Sequence, residues 1–188
     1  MKITSTKFIT GLVDDHAILS DGIPQIAFVG RSNVGKSTLI NTLTASSVSR
    51  TSSFPGRTQE INIFLVNNEF YFVDLPGYGF ARASGMGREK ISELIDSYLF
   101  SSVNGQKKVV MIVDANVGMT EKDELMLSML IEHKKDFVIV ANKTDKASQS
   151  ELHHNLNAIR KIAREHKVIP FSSKKRIGLD TLLEEIMK

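Results

Sequence analysis

At 188 residues the chain has the length of one domain, long enough to bury a two-sided sheet under helices, so a single domain over residues 1–188 is predicted. Its 41% hydrophobic and 24% charged residues are ordinary for a soluble globular protein, and no apolar run approaches the roughly 20 residues of a membrane-spanning helix, which excludes membrane insertion by such helices. The lack of cysteine excludes disulfides, thiolate metal sites and cysteine nucleophiles, while a net charge of +3 is too mildly basic for a chain built mainly to coat nucleic acid.

Residues 1–15 carry two lysines but no apolar core leading to a small-residue cleavage site, so no secretory signal is read there and the cytoplasm is the expected compartment. The first apolar run of strand length covers residues 26–29. Directly after it stand Gly30, Arg31, Ser32, Asn33, Val34, Gly35, Lys36 and Ser37, followed by Thr38 and a helical pattern. This is G-x-x-x-x-G-K-[ST] in its strand, loop and helix context. Two glycines let the backbone wrap, its N–H groups and the helix N-terminus face phosphates, and Lys36 offers a point charge to the β and γ groups. The Ser37 hydroxyl is placed for Mg²⁺. A loop of this spelling also occurs by chance, so the reading leans on the motifs further along the chain.

Residues 44–59 and 76–87 lack a strong period and are rich in Ser, Thr, Gly and Pro, as functional loops often are. Between them, residues 61–66 and 69–73 are joined by Asn67 and Asn68, a pair that tolerates the positive φ of a tight hairpin turn. One edge of the sheet is therefore predicted to be antiparallel. The second arm leads into Asp74, Leu75, Pro76 and Gly77. There Asp74 can reach Mg²⁺ through water and the Gly77 N–H can meet a γ-phosphate. Taken alone, an aspartate at this place could equally start an ordinary turn.

A helical stripe follows at Ile91, Leu94, Ile95, Tyr98 and Leu99, then an apolar strand at 109–113. Thr120 with Asp123 reads as an N-cap with an acidic third position, opening a helix that runs to Ile131. The strand at 137–141 ends in Asn142, Lys143, Thr144 and Asp145. A carboxylate at Asp145 can accept both N1–H and the N2 amino group of guanine, a pattern adenine does not present, so GTP and GDP are favoured over ATP. After a second stripe at Leu152, Leu156, Ile159 and Ala163, a last strand at 168–171 leads through Phe171 into Ser172, Ser173 and Lys174, where a backbone N–H can donate to guanine O6. Asp180 is expected to cap the final helix. Strands alternating with helices predict an α/β fold of P-loop NTPase type, with a doubly wound, mostly parallel sheet.

The four motifs, in this order, make the signature of translation-factor-type GTPases. More narrowly, Pro55-Gly56-Arg57-Thr58-Gln59 together with Asp74-Leu75-Pro76-Gly77-Tyr78-Gly79-Phe80-Ala81 resembles the EngB type (YihA/YsxC-like) of the TrmE-Era-EngA-EngB-septin class, and the likeness covers essentially the whole chain. The resemblance implies a bacterial GTPase of large ribosomal subunit assembly, linked to cell division and septation and working as a monomer on ribosomal RNA and proteins, with no DNA partner. It adds Gly56, Arg57 and Thr58 to the nucleotide-binding set and makes Thr58 the switch threonine, completing the Mg²⁺ shell with Ser37 and meeting the γ-phosphate. Asn142 stands where many relatives carry threonine, and the tryptophan many have after the second switch is absent.

Hydrolysis needs in-line water and charge neutralisation, for which Lys36, Gly77 and Thr58 are the candidates. Ras-like proteins orient the water with a glutamine after the second-switch glycine, and this chain has Tyr78 there. Slow intrinsic turnover is predicted, with Tyr78 either packing or catalysing. Asn33 either caps the phosphate loop or, as a resemblance to other GTPases that lack this glutamine implies, helps hold a potassium ion against the β and γ phosphates. Basic residues gather late, from Lys134 to Arg176, and are either a solvated rim or an RNA-facing set. A slow GTPase acting on an assembling ribosome and a nucleotide-dependent binding module for a cell-division protein, with incidental hydrolysis, both remain open.

Overall fold

The computed structural model describes residues 2–12, 20–46, 60–79, 85–100 and 106–188. Gly56, Arg57 and Thr58, and likewise Phe80 and Ala81, lie outside the described residues. Among the described residues, seven strands form one sheet: β1 (Thr6–Leu12), β2 (Gln25–Gly30), β3 (Ile61–Val66), β4 (Phe70–Asp74), β5 (Gln106–Asp114), β6 (Phe137–Asn142) and β7 (Val168–Pro170). The described helices are α1 (Lys36–Thr44), α2 (Gly85–Phe100), α3 (Glu121–Glu132), α4 (Gln149–Ala163) and α5 (Leu179–Met187).

The strand order is β1-β3-β4-β2-β5-β6-β7. From β4 to β7 every pairing is parallel, and β1, β3 and β4 pair antiparallel. The hairpin read from the sequence is there, with Asn67 at φ 52 and Asn68 at φ 56. It sits one strand in from the edge, because β1 covers β3. Asn67 also binds that added segment: its Oδ1 accepts from the Thr4 and Ser5 N–H groups at 2.8 and 3.1 Å.

The central strands are buried on both faces, which is why they read as unbroken apolar runs. Alternate residues feed two cores. Ala27, Val29, Met111 and Val113 pack with Ile95, Leu127 and Ile159 under α2, α3 and α4, while Ile26, Phe28, Val110 and Ile112 pack with Leu39, Ile40, Leu182 and Ile186 under α1 and α5. The sheet is thus doubly wound. The capping box at α3 is present as predicted. At α5 the cap is Gly178, at φ 76, and Asp180 falls inside the first turn, which corrects the expected cap. A second box, Ser148 with Glu151, opens α4. Parallel strands bring the C-terminal ends of β2, β4, β5, β6 and β7 to one edge, where crossover connections leave the sheet and α/β ligand sites form.

Candidate functional site

At that edge β2 ends in Gly30 and the chain turns through Arg31 to Gly35 into α1, whose first residue is Lys36. Gly35 is the helix N-cap at φ 91, and a Cβ there would lie 2.6 Å from Asn142 Nδ2, so only glycine keeps both the left-handed turn and the packing against β6. Ser37 and Thr38 fall in the first turn of α1, whose first N–H groups have no partner within the helix. The Lys36 ammonium is buried in direct contact with the Asp74 carboxylate at the end of β4. Ser37 and Asp74 offer a hydroxyl and a carboxylate, a hard oxygen set that suits Mg²⁺ held together with substrate phosphates.

Beyond Asp74, Leu75 N–H donates to Phe28 O at 3.1 Å, and Tyr78 forms a short parallel bridge to Arg31. Tyr78 N–H donates to Gly30 O at 3.3 Å and Ser32 N–H to Tyr78 O at 3.1 Å. Gly77 therefore lies flat against the phosphate loop: a Cβ on it would sit 2.9 Å from Ser32 Cα and N. Leu75 and Pro76 are buried behind it. The phenol of Tyr78 turns away and donates to Asp123 Oδ1 at 2.7 Å, while Arg31 Nε donates to Asp123 Oδ2 at 2.9 Å. Burial, then the Asp123 charge and hydrogen bond, push the Tyr78 hydroxyl well above its ordinary range, against an opposing effect of Arg31. It stays a neutral donor, and of the two sequence readings the structure favours packing.

The base-reading elements interlock with the phosphate loop. Asn142 Nδ2 donates to Val34 O at 2.9 Å, and Lys143 Nζ reaches Asn33 O at 2.6 Å and Asp114 Oδ2 at 2.8 Å. Asn33 is thus engaged through its carbonyl, at φ 68, with an exposed side chain. Burial raises the Asp114 pKa, but the Lys143 bond and those from Asn116 outweigh it and leave the carboxyl below its usual value. Thr144 donates from its N–H and hydroxyl to Phe171 O at 3.1 and 3.0 Å, which ties β6 to the segment after β7.

Strand β7 stops at Pro170, so Ser172 and Ser173 lie in the turn beyond it. The Ser172 N–H is taken by Ile177 O at 3.1 Å, and its hydroxyl donates to Asp145 Oδ1 at 2.6 Å. That bond lowers the Asp145 pKa, partial burial opposes it, and the charges of Lys174 and Lys175 help hold the carboxyl below its usual range. An ionised acceptor is therefore available at neutral pH. Among the described residues, Asn142 Oδ1 and Ser173 Oγ are buried without a hydrogen-bond partner. Both belong to the elements read as meeting the base, which fits a ligand that completes them.

All sequence-predicted site residues that are described converge on this one edge. Two further carboxylates join them that the motifs do not name. Asp114 ends an apolar strand just as Asp74 does, a signal that could have found it. The sequence marks Asp123 only as a helix cap, and nothing local announces its second partnership.

A family model described as "50S ribosome-binding GTPase" matches residues 25–143, and one described as "Elongation factor Tu GTP binding domain" matches residues 101–188. A curated relative from Clostridioides difficile, named "Probable GTP-binding protein EngB", is 40% identical over 100% of this chain and 94% of its own. A crystal structure described as that of "a probable GTP-binding protein engB" superposes with a TM-score of 0.73 at 26% identity, covering 87% of this chain and 96% of that one. Era in complex with MgGDPNP and a fragment of 16S ribosomal RNA gives a TM-score of 0.71 at 28% identity, covering 88% of this chain and 56% of that one.

Proposed function

The chain belongs to the EngB family of GTP-binding proteins and is a GTPase, and from that premise we propose that it serves as a nucleotide switch in large ribosomal subunit assembly. The observation that supports this reading best is the convergence of phosphate loop, Asp74, Asn142 to Asp145 and Ser172 to Ser173 on one sheet edge, with Gly77 seated against Ser32. A γ-phosphate sensor packed directly on the phosphate loop converts loss of that phosphate into movement of the chain beyond it.

In this reading the loop N–H groups and α1 bind the α- and β-phosphates, and Lys36 leaves Asp74 for the β and γ oxygens. Ser37 and Thr58, with Asp74 acting through water, would hold Mg²⁺, which would supply positive charge beside the phosphates. Gly77 N–H meets the γ-phosphate. Asp145 accepts from guanine N1–H and N2, Lys143 flanks the base plane, and an N–H of the Ser173 turn donates to O6. Tyr78 is committed to Asp123, so no side chain at that position orients the attacking water, and intrinsic turnover is slow.

The matched "50S ribosome-binding GTPase" family and the RNA-bound Era structure support a ribosomal partner. The GTP form docks on the immature particle in the cytoplasm as a single-domain monomer and leaves after hydrolysis, with cell division and septation depending on that supply of subunits. Co-sedimentation with precursor particles tests this: a GTP analogue should hold the protein on the particle and GDP should release it. Equal sedimentation under both nucleotides contradicts the switch.

A further inference from the structure

Asp123 lies at the third position of α3, where a capping acid needs only to accept from the N-cap residue. It does so, with Thr120 N–H and hydroxyl at 2.9 and 2.8 Å from Oδ2. Yet its side chain is 0% exposed, and it takes two further donors from distant chain segments: Arg31 of the phosphate loop and Tyr78 of the second switch. A carboxylate is costly to bury, and a cap alone does not require it. The same helix turn reaches one residue further, because Lys122 Nζ lies 3.4 Å from Gly79 O.

We propose that Asp123 is a positioning residue of the GTPase site, clamping Arg31 and Tyr78 together so that Gly77 is presented at a fixed place over the phosphate loop. The inference rests on the reading that Gly77 meets the γ-phosphate. Gly77 is held from both sides. Before it, Leu75 is bonded to Phe28; after it, Tyr78 is bonded through its backbone to Gly30 and Ser32 and through its hydroxyl to Asp123. A donor fixed in place before the charge develops costs no reorganisation in the transition state. Tyr78, standing where a catalytic glutamine is often found, thereby acts through its anchor: the phenol holds the backbone that carries the donor. GDP, which lacks the γ-phosphate, does not need the clamp.

The test is a double-mutant cycle on the full chain with Mg²⁺, using Tyr78→Phe, Asp123→Asn and the pair. Tyr78→Phe leaves the helix cap intact. Each single variant should lower kcat for GTP roughly tenfold, the loss of one hydrogen bond to a charged group, with GDP affinity within about twofold. The double variant should be no slower than the slower single, because both remove one clamp. Unchanged kcat in Tyr78→Phe, or losses that multiply in the pair, overturns the proposal and leaves Asp123 as a cap. Should Asp123→Asn fail to fold, Tyr78→Phe decides alone: a roughly tenfold lower kcat with GDP affinity retained upholds the clamp, and an unchanged kcat overturns it. Lys36→Ala addresses the underlying site separately: lost nucleotide binding upholds that reading however the clamp variants behave, whereas retained GTP binding overturns both.

Discussion

A single methyl group probes the proposed site at Gly77. An added Cβ would meet Ser32 Cα and N at 2.9 Å, closer than side chains approach backbone, so Gly77→Ala must push the second switch off the phosphate loop. The expected result is a loss of kcat of roughly tenfold or more with GDP affinity retained, since about 1.4 kcal/mol of lost transition-state contact is enough. Single-turnover hydrolysis beside GDP titration reads it, and an unchanged rate would detach Gly77 from the chemistry. Residues at this scale are legible wherever a contiguous motif spells them: the Gly30 to Ser37 loop, Asp74, and Asn142 to Asp145. They are illegible where the partner is remote. Asp114 meets Lys143 across 29 positions and Asp123 meets Arg31 across 92, and no local period records either pairing.

At the scale of elements, one carboxylate on α5 gathers three lysines beside the apolar contacts that seat the helix. Glu185 accepts from Lys167 at 2.6 Å, Lys108 at 3.1 Å and Lys188 at 3.2 Å, and Lys108 is itself buried on β5. The Lys167 bond above all, against some desolvation, brings the Glu185 pKa from 4.5 to about 2. Because the folded value is the lower one, the stability it contributes is complete above the unfolded value and is lost as pH falls toward about 2. Glu185→Gln should therefore lower the urea midpoint at neutral pH and flatten its fall between pH 4.5 and about 2. Parallel acid profiles would contradict this. The buried strands are legible because double-sided burial leaves unbroken apolar runs. Strand β1 is not: threonines, a lysine and a glycine break its pattern, and its register shifts between Phe8 and Thr10. Its pairing with β3, rather than its own composition, makes it a strand. The α5 cap differs from the expected one because Asp180 has the right chemistry for a cap while the turn uses Gly178 in the left-handed region.

Across the whole molecule, the late basic residues divide between two opposite edges, which a linear reading cannot reveal. Lys146, Lys174, Lys175 and Arg176 lie at the C-terminal edge of the strands beside Asp145, and Lys143 is spent on Asp114. Arg160 and Lys161 end α4, Arg164 is its C-cap, and Lys134 and Lys167 precede β6 and β7, all exposed at the other edge. Charge reversal at Arg160, Lys161 and Arg164 should weaken particle binding and its salt dependence while GTP affinity stays within about twofold, because counterion release follows the phosphates neutralised. Unchanged particle binding would move the contact to the nucleotide edge. The central claim is that this nucleotide edge is one guanine-reading GTPase site, and competition against bound GDP by GTP, ATP and xanthosine triphosphate, in the wild type and in Asp145→Asn, tests it most directly. The wild type should prefer GTP over ATP, and the variant should lose GTP affinity by roughly a hundredfold while gaining xanthosine triphosphate, whose 2-oxo group accepts from the new amide. GTP affinity unchanged by Asp145→Asn would contradict the account.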